Sequence, residues 1–216
     1  MIQKNDFIEV EYTGRVKDGG LIFDTTNEHD AKIASLPKPL GPQVICLGHG
    51  QVLAGLEVKM VGMDIGKEST FILQPEEAFG KKSAKLVQLL PTSKFKQHDI
   101  VPQPGLQVDI DGVTGIVKTV SGGRTLVDFN HPLSGKVIEY KVRILRKVDR
   151  DEEKIKGLLR SSLGTQDIQV QASEGKATVT LKAELPKEIQ DLLRQRAMDL
   201  VSSIKDIEFV KEPTVK

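Results

Sequence analysis

The chain has 216 residues, enough for two or three domains, and 38% of them are apolar, enough to fill real cores. Its 31 basic and 30 acidic residues leave a net charge of +1, which gives no electrostatic reason to expect a nucleic-acid partner. Cys46 is the only cysteine, so an internal disulfide framework is excluded and a reducing compartment fits; no apolar run approaches the ~20 residues of a membrane helix, and the opening MIQKNDFIEV lacks the apolar centre of a signal peptide, so the expected location is the cytoplasm, with no membrane partner.

Phe7 to Val16 (FIEVEYTGRV) alternates apolar and polar residues, the pattern of a half-buried strand. Asp18-Gly19-Gly20 turns the chain, and Leu21-Ile22-Phe23 resumes the sheet. Residues 27–43 carry Pro37, Pro39, Gly41 and Pro42, which would break a helix repeatedly, so a loop or flap is expected there. Gln51 to Met60 places Val52, Leu53, Leu56 and Met60 at helical spacing, and Ser69 to Leu73 is a strand again. Lys85 to Pro91 is a short apolar run, followed by a polar, proline-containing stretch from Ser93 to Gly105. Three strand patterns then follow, Leu106–Ile110, Val113–Val120 and Arg124–Phe129, with hairpin signals at Asp111-Gly112 and Gly122-Gly123. Residues 81–129 thus read as a small β-rich unit inserted in a sheet domain, which Val137 to Val148 completes.

The last third reads as αββαβ: a helix from Asp151 to Ser162, strands at Ile168–Ala172 and Lys176–Leu181, a long helix opened by Pro186, and a strand at Ile207–Val210. The long helix has a stripe of Ile189, Leu192, Leu193, Ala197, Leu200, Val201 and Ile204. The net charge is −5 over residues 1–80, +3 over 81–129, +3 over 130–149 and zero over 150–216, so the C-terminal unit does not read as a nucleic-acid binder.

Several strings line up in order: Tyr12-Thr13-Gly14, Phe23-Asp24, the run from Leu47 to Glu57 (LGHGQVLAGLE), Ala78-Phe79-Gly80, and the closing strand around Tyr140. Their order and spacing resemble FKBP-type prolyl isomerases, and the run from Leu47 to Glu57 is the most specific. The interruption after Ala78-Phe79-Gly80, with return at Asn130-His131-Pro132-Leu133-Ser134-Gly135, resembles the insert-in-flap arrangement of the SlyD-like subfamily. The resemblance covers residues 1–149, and the added C-terminal part resembles the long archaeal members. It implies an α+β fold: an antiparallel sheet wrapped on a short helix (residues 1–80 with 130–149), the inserted β-rich domain (81–129), and a C-terminal αββαβ domain (150–216).

The resemblance further implies a shallow apolar pocket lined by Tyr12, Phe23, Asp24, Val52, Leu53, Leu56, Phe79 and Tyr140. Asp24, Tyr12 and Phe79 would act on the prolyl bond; Phe23, Val52, Leu53, Leu56 and Tyr140 would hold the substrate. Leu56 would be the floor where many relatives have Trp, and Phe79 stands where Tyr is usual, removing a hydroxyl that often holds the substrate carbonyl. Asp24 also has a plainer reading, since Asp24-Thr25-Thr26 is a turn-like string. Phe79, Tyr12, Tyr140 and the helical apolar residues can equally be core.

No nucleophile, metal or base constellation is visible: His29, His49, His98 and His131 form no ligand spacing, and the tail KEPTVK has no histidine, so neither cofactor nor metal is expected. Cys46 reads as a buried small hydrophobe. In the insert, Leu86, Val87, Leu89 and Leu90 are either its own core or an exposed surface for unfolded chains. The function implied is prolyl cis/trans isomerisation of unfolded or nascent polypeptides with a folding-helper role. A non-catalytic peptide-binding holdase is the alternative, motivated by Leu56 and Phe79. The C-terminal domain could make a homodimer through a strand edge or dock another partner.

Overall fold

The computed structural model describes residues 1–96 and 99–212, so His98 and the last four residues of the tail lie outside the described residues. In chain order the elements are β1 (Phe7–Val16), β2 (Ile22–Thr25), α1 (Glu28–Ile33), β3 (Gln43–Cys46), α2 (Ala54–Met60) and β4 (Glu68–Leu73). There follow β5 (Val87–Pro91), α3 (Thr92–Lys96), β6 (Gln107–Ile110), β7 (Val113–Ser121) and β8 (Arg124–Asp128). Last come β9 (Ile138–Lys147), α4 (Asp151–Leu163), β10 (Ile168–Ser173), β11 (Lys176–Leu181), α5 (Lys187–Leu200) and β12 (Asp206–Lys211). They divide into two units, Met1–Leu73 with Val137–Lys216, and Gln74–Lys136.

The first unit holds an antiparallel sheet in the order β2-β1-β9-β4. β3 also pairs with β1, along its first half (Phe7 to Val10), while β2 takes the second half from Thr13 onward. The alternation of β1 buries Ile8, Val10, Tyr12 and Val16. The stretch 27–43, expected as loop throughout, begins with the short helix α1. Asn27 makes that possible: its side-chain oxygen accepts from the His29 and Asp30 N–H groups, and the helix ends before Pro37 is reached.

The αββαβ order is present, with β10 and β11 antiparallel and β11 and β12 parallel through the α5 crossover. This part does not have a core to itself. Phe7, Val44, Cys46 and Val148 of the first sheet share one apolar cluster with Ile155, Leu158 and Leu159 of α4 and with Val179, Leu193 and Ile207 beyond it. Burial pushes the Cys46 thiol up to about 11, with the charges of Glu57 and Asp6 adding to it, so it stays protonated and inert. Pro186 is the N-cap of α5 and not its first helical residue. The expected stripe is only partly inward: Leu193 and Ala197 are buried, while Ile189 and Leu192 are exposed at 40% and 65%.

The second unit is a four-stranded sheet, β5-β8-β7-β6. The run ending at Pro91 is a strand in its own right, and α3 lies in the stretch expected to be irregular. β5 is an edge strand, the position where a proline costs least. The core is small: Phe95, Val108, Ile110, Val117 and Val127, with Leu90, Ile100 and Phe129 against it. Asn130 closes the base by accepting from the Ser83 N–H and donating to the Ser83 carbonyl (2.8 and 3.1 Å). Burial alone would raise the Asp128 carboxyl, but hydrogen bonds from Asn130 and Lys82 outweigh it and hold the group down to about 2.

Candidate functional site

Four of the residues singled out from the sequence meet on one face of the first sheet. Asp24 of β2, Gly14 of β1 and Tyr140 of β9 stand in one row across the strands, and Phe71 of β4 continues it. Side chains in a row share a face, as do those two apart on a strand, so Tyr12 joins them. Gly14 leaves a gap in this row. A Cβ there would lie 2.7 Å from Tyr140 Cε1 and 2.9 Å from Phe23 Cζ, so its absence is what lets the two rings lie over the strand.

Phe23 reaches this face through a bulge. Between the pairs Gly14–Asp24 and Arg15–Ile22, β2 has one residue too many. In a regular strand Phe23 and Asp24 would point to opposite faces; the extra residue turns both to the same one. Tyr140 then meets Tyr12 and Phe23 edge-on, with both centroid distances 5.9 Å and interplanar angles of 66° and 89°.

The Asp24 carboxylate accepts from the Tyr12 hydroxyl and from the Thr25 N–H. Burial raises its carboxyl from the ordinary aspartate value despite these two bonds. Burial also raises the phenols of Tyr12 and Tyr140, and the Asp24 charge adds to both, so both keep their protons at neutral pH. The sign for stability follows. A carboxyl raised on folding stabilises the fold only below its unfolded pKa, and that stability is lost as pH rises through the folded value. Ionised Asp24 therefore costs stability at neutral pH. Asp24→Asn is expected to leave the thermal midpoint unchanged or higher while lowering activity. In the native chain kcat/KM is expected to fall on acidification at a higher pH than a free aspartate would give, and Asp24→Asn is expected to remove that limb; a profile identical in the two proteins would exclude Asp24.

The Leu47–Glu57 run owes its shape to its polar members. The buried Glu57 carboxylate accepts from the Gly50 and Gln51 N–H groups (3.2 Å each), and the Gln51 side chain accepts from the Cys46 N–H (2.6 Å). This clamp fixes the loop that delivers Val52 and Leu53, both half-buried, to the start of α2, where Leu56 is 1% exposed. Phe79 belongs to the second unit, where its ring stacks on His131 at 4.7 Å and its carbonyl accepts from the Ser134 hydroxyl. Sequence reasoning missed Phe71, the bulge and the Glu57 clamp. Glu57 was in plain view inside the most specific string; the bulge leaves no compositional mark. Among the described residues no group of three or more His, Cys, Asp or Glu gathers to hold a metal ion, and no helix is long and apolar enough to cross a membrane.

Comparison with known proteins gives two family matches. Residues 1–96 match FKBP-type peptidyl-prolyl cis-trans isomerase, and residues 88–133 match FKBP26, IF domain. A short-type peptidyl-prolyl cis-trans isomerase of Methanocaldococcus jannaschii is 29% identical over 147 residues, covering 67% of this chain and 92% of that protein. An FKBP-type 16 kDa peptidyl-prolyl cis-trans isomerase of Escherichia coli is 29% identical over 149 residues, with the same two coverages of 67% and 92%. The FKBP-type peptidyl-prolyl cis-trans isomerase SlyD of Haemophilus influenzae is 25% identical over 158 residues, 71% of this chain and 76% of that protein.

Proposed function

The chain is an FKBP-type peptidyl-prolyl cis-trans isomerase with an FKBP26-like insert, and on that premise we propose that it turns prolyl bonds of unfolded or nascent polypeptides over the Tyr12–Phe23–Asp24–Tyr140 face, with the insert holding the chain. The observation that carries this reading is the Asp24–Tyr12 hydrogen bond set among three aromatic rings. A planar prolyl amide is stabilised by charge-separated resonance, and its barrier to rotation is ~20 kcal/mol. Aromatic walls solvate that polar form poorly, so they disfavour the planar state relative to the twisted one, which has lost the resonance. Asp24 supplies a fixed negative charge beside the bound amide, and its bond to Tyr12 holds that charge in place. Val52, Leu53 and Leu56 provide the apolar wall and floor. Phe79 is assigned to the substrate by its motif, Ala78-Phe79-Gly80. The chemistry is non-covalent and asks for no cofactor. The inert thiol of Cys46 suits the cytoplasm.

The insert supports the folding-helper role. Leu86, Val87 and Leu89 are exposed at 42%, 36% and 53%, and only Leu90 of that run packs on the insert's core. A groove of about 240 Å³ is lined by the apolar Leu86, Leu90, Ile110, Val113 and Phe129 together with Gln88, Lys94 and Asp111. An unfolded segment held there is tethered to the isomerase, which raises the effective concentration of its prolines. Ser83 and Asn130 hydrogen-bond each other, so residues 84–129 can be excised and replaced by a short glycine linker. The shortened chain is expected to isomerise a tetrapeptide within about threefold of the native rate, and to lose about a hundredfold in accelerating the refolding of a proline-limited protein. Equal losses on both substrates would remove the holding role.

The C-terminal part carries the homodimer proposal. Ile189 and Leu192 are exposed on α5 and Val210 on β12, an edge strand. Light scattering of the full chain is expected to give twice the 23.8 kDa monomer mass, and Leu192→Glu the monomer. A native monomer at all concentrations would end this proposal.

A further inference from the structure

On the reverse side of the sheet from the aromatic face, a directed chain of hydrogen bonds ties β1, β2 and α1 together. The Asn27 N–H donates to Thr25 Oγ1 (3.0 Å), Thr25 Oγ1 and Thr13 Oγ1 are 2.8 Å apart, and Thr13 Oγ1 donates to Asp30 Oδ2 (2.7 Å). A hydroxyl has a single proton. The Thr13 proton is spent on the Asp30 carboxylate, so in the Thr25–Thr13 contact Thr25 is the donor, and the Tyr12 carbonyl, 3.3 Å from Thr25 Oγ1, is that hydroxyl's other acceptor. The loop closes on itself, because Asp30 returns its own N–H to the Asn27 side chain. The three bonds from Asn27 through Thr25 and Thr13 all point toward the Asp30 carboxylate, the arrangement in which members of a chain strengthen one another. Thr13 and Thr25 are 5% and 8% exposed, so leaving either unpaired would be costly.

The place of this chain in the fold is what gives it a role. Thr13 and Thr25 face each other across the strands, one step from Tyr12 and Asp24. The next step is the bulge, where the ladder loses its register. β2 is a four-residue edge strand with few rungs, and backbone pairing alone holds such a strand weakly. The Thr25 N–H, fixed by this clamp, is also one of the two donors to the Asp24 carboxylate. Thr26 adds a second grip, its hydroxyl accepting from the Tyr12 N–H (2.9 Å) while its own N–H donates to the Tyr12 carbonyl (2.9 Å).

We propose that Thr13, Thr25 and Asp30 are positioning residues for the isomerase: acting from the opposite face, they set the distance and direction between Asp24 and Tyr12. The inference rests on the assignment of Asp24 to the reaction. Asp30 lines a polar hollow on that face, beside the Glu11–Arg143 and Glu68–Lys141 ion pairs, so its truncation leaves a space water can fill.

The test is kcat and KM on a Xaa-Pro tetrapeptide for the full chain carrying Thr13→Val, Thr13→Ser or Asp30→Ala, each with and without Asp24→Ala, with the thermal midpoint read alongside. Thr13→Val is expected to lower kcat about tenfold with KM within about twofold, Asp30→Ala to lower it about threefold, and Thr13→Ser to restore the native rate. In the Asp24→Ala background the same substitutions are expected to change nothing further, because the residue through which they act is gone. Losses of equal size in both backgrounds would overturn the proposal, as they would mark a packing role. Should Thr13→Val not fold, Asp30→Ala and Thr13→Ser decide the matter by the same comparison. Loss of activity in Asp24→Ala with none in Thr13→Val or Asp30→Ala would overturn the positioning role alone. Full activity of Asp24→Ala by itself would overturn the pocket assignment and this inference with it.

Discussion

Cutting the chain after Asp149 is expected to unfold the isomerase unit or leave it barely stable. Phe7 of β1, Val44 and Cys46 of the adjoining β3, and Val148 just after β9 flank the strands that build the site, and they are buried in a cluster completed by Ile155, Leu158 and Leu159 of α4. Gly157 lies so close to Val44 that a side chain there has no room, which is how the helix comes within packing distance of β3. Arg160 and Gln166 then both donate to the Leu40 carbonyl, at 2.6 and 2.9 Å. Full burial of a side chain of this kind is worth ~1.5–3 kcal/mol, so uncovering four of them costs on the order of 5 kcal/mol. Whole domains are stable by only ~5–15 kcal/mol. Residues 1–149 alone are expected to melt at least about 10 °C below the full chain, or to precipitate. A truncated chain with an unchanged thermal midpoint would contradict the shared core.

Gly14→Val is expected to abolish catalysis while leaving most of the fold in place. The new Cβ would fall 2.7–2.9 Å from atoms of Tyr140 and Phe23, and both rings are held in a packed cluster with Tyr12. The rings must tilt off the strand, at a cost of about 1–3 kcal/mol in stability. The same movement spoils the surface on which the proline ring would lie, so kcat/KM is expected to drop at least about a hundredfold, far more than the stability change requires. Circular dichroism and a tetrapeptide assay on one preparation separate the two effects. Native activity in a folded Gly14→Val protein would mean that the rings do not form the working surface.

Local patterns in the sequence were a good guide wherever one residue type forces one conformation. The alternation of β1 and β9, the glycine hairpins of the insert and the αββαβ order are all legible because strand period, turn chemistry and helix period are local properties. Four residues named from separate strings, Tyr12, Phe23, Asp24 and Tyr140, also come together in space. Tertiary relations were not. Nothing in Phe23-Asp24 announces that a bulge will turn both side chains to one face, because a bulge is a property of two strands. The three prolines and one glycine of residues 37–42 hid α1, whose helix is secured by the single cap at Asn27. The apolar stripe from Ile189 to Ile204 runs past the end of α5 at Leu200, and Ile189 and Leu192 on it face out. The C-terminal part read as a separate domain, while its α4 completes a core begun at Phe7, a relation between residues about 150 positions apart.

The central claim is that the aromatic face around Asp24 does the work of isomerisation. Its most direct measurement is the cis-to-trans rate of a short peptide with an apolar residue before proline, read with the full chain and with Asp24→Ala at equal concentration. The native chain is expected to accelerate the conversion, and Asp24→Ala to fall at least about tenfold in kcat/KM, equivalent to ~1.4 kcal/mol of transition-state stabilisation, with its thermal midpoint unchanged or raised. Equal rates for the two proteins, both folded, would contradict the account.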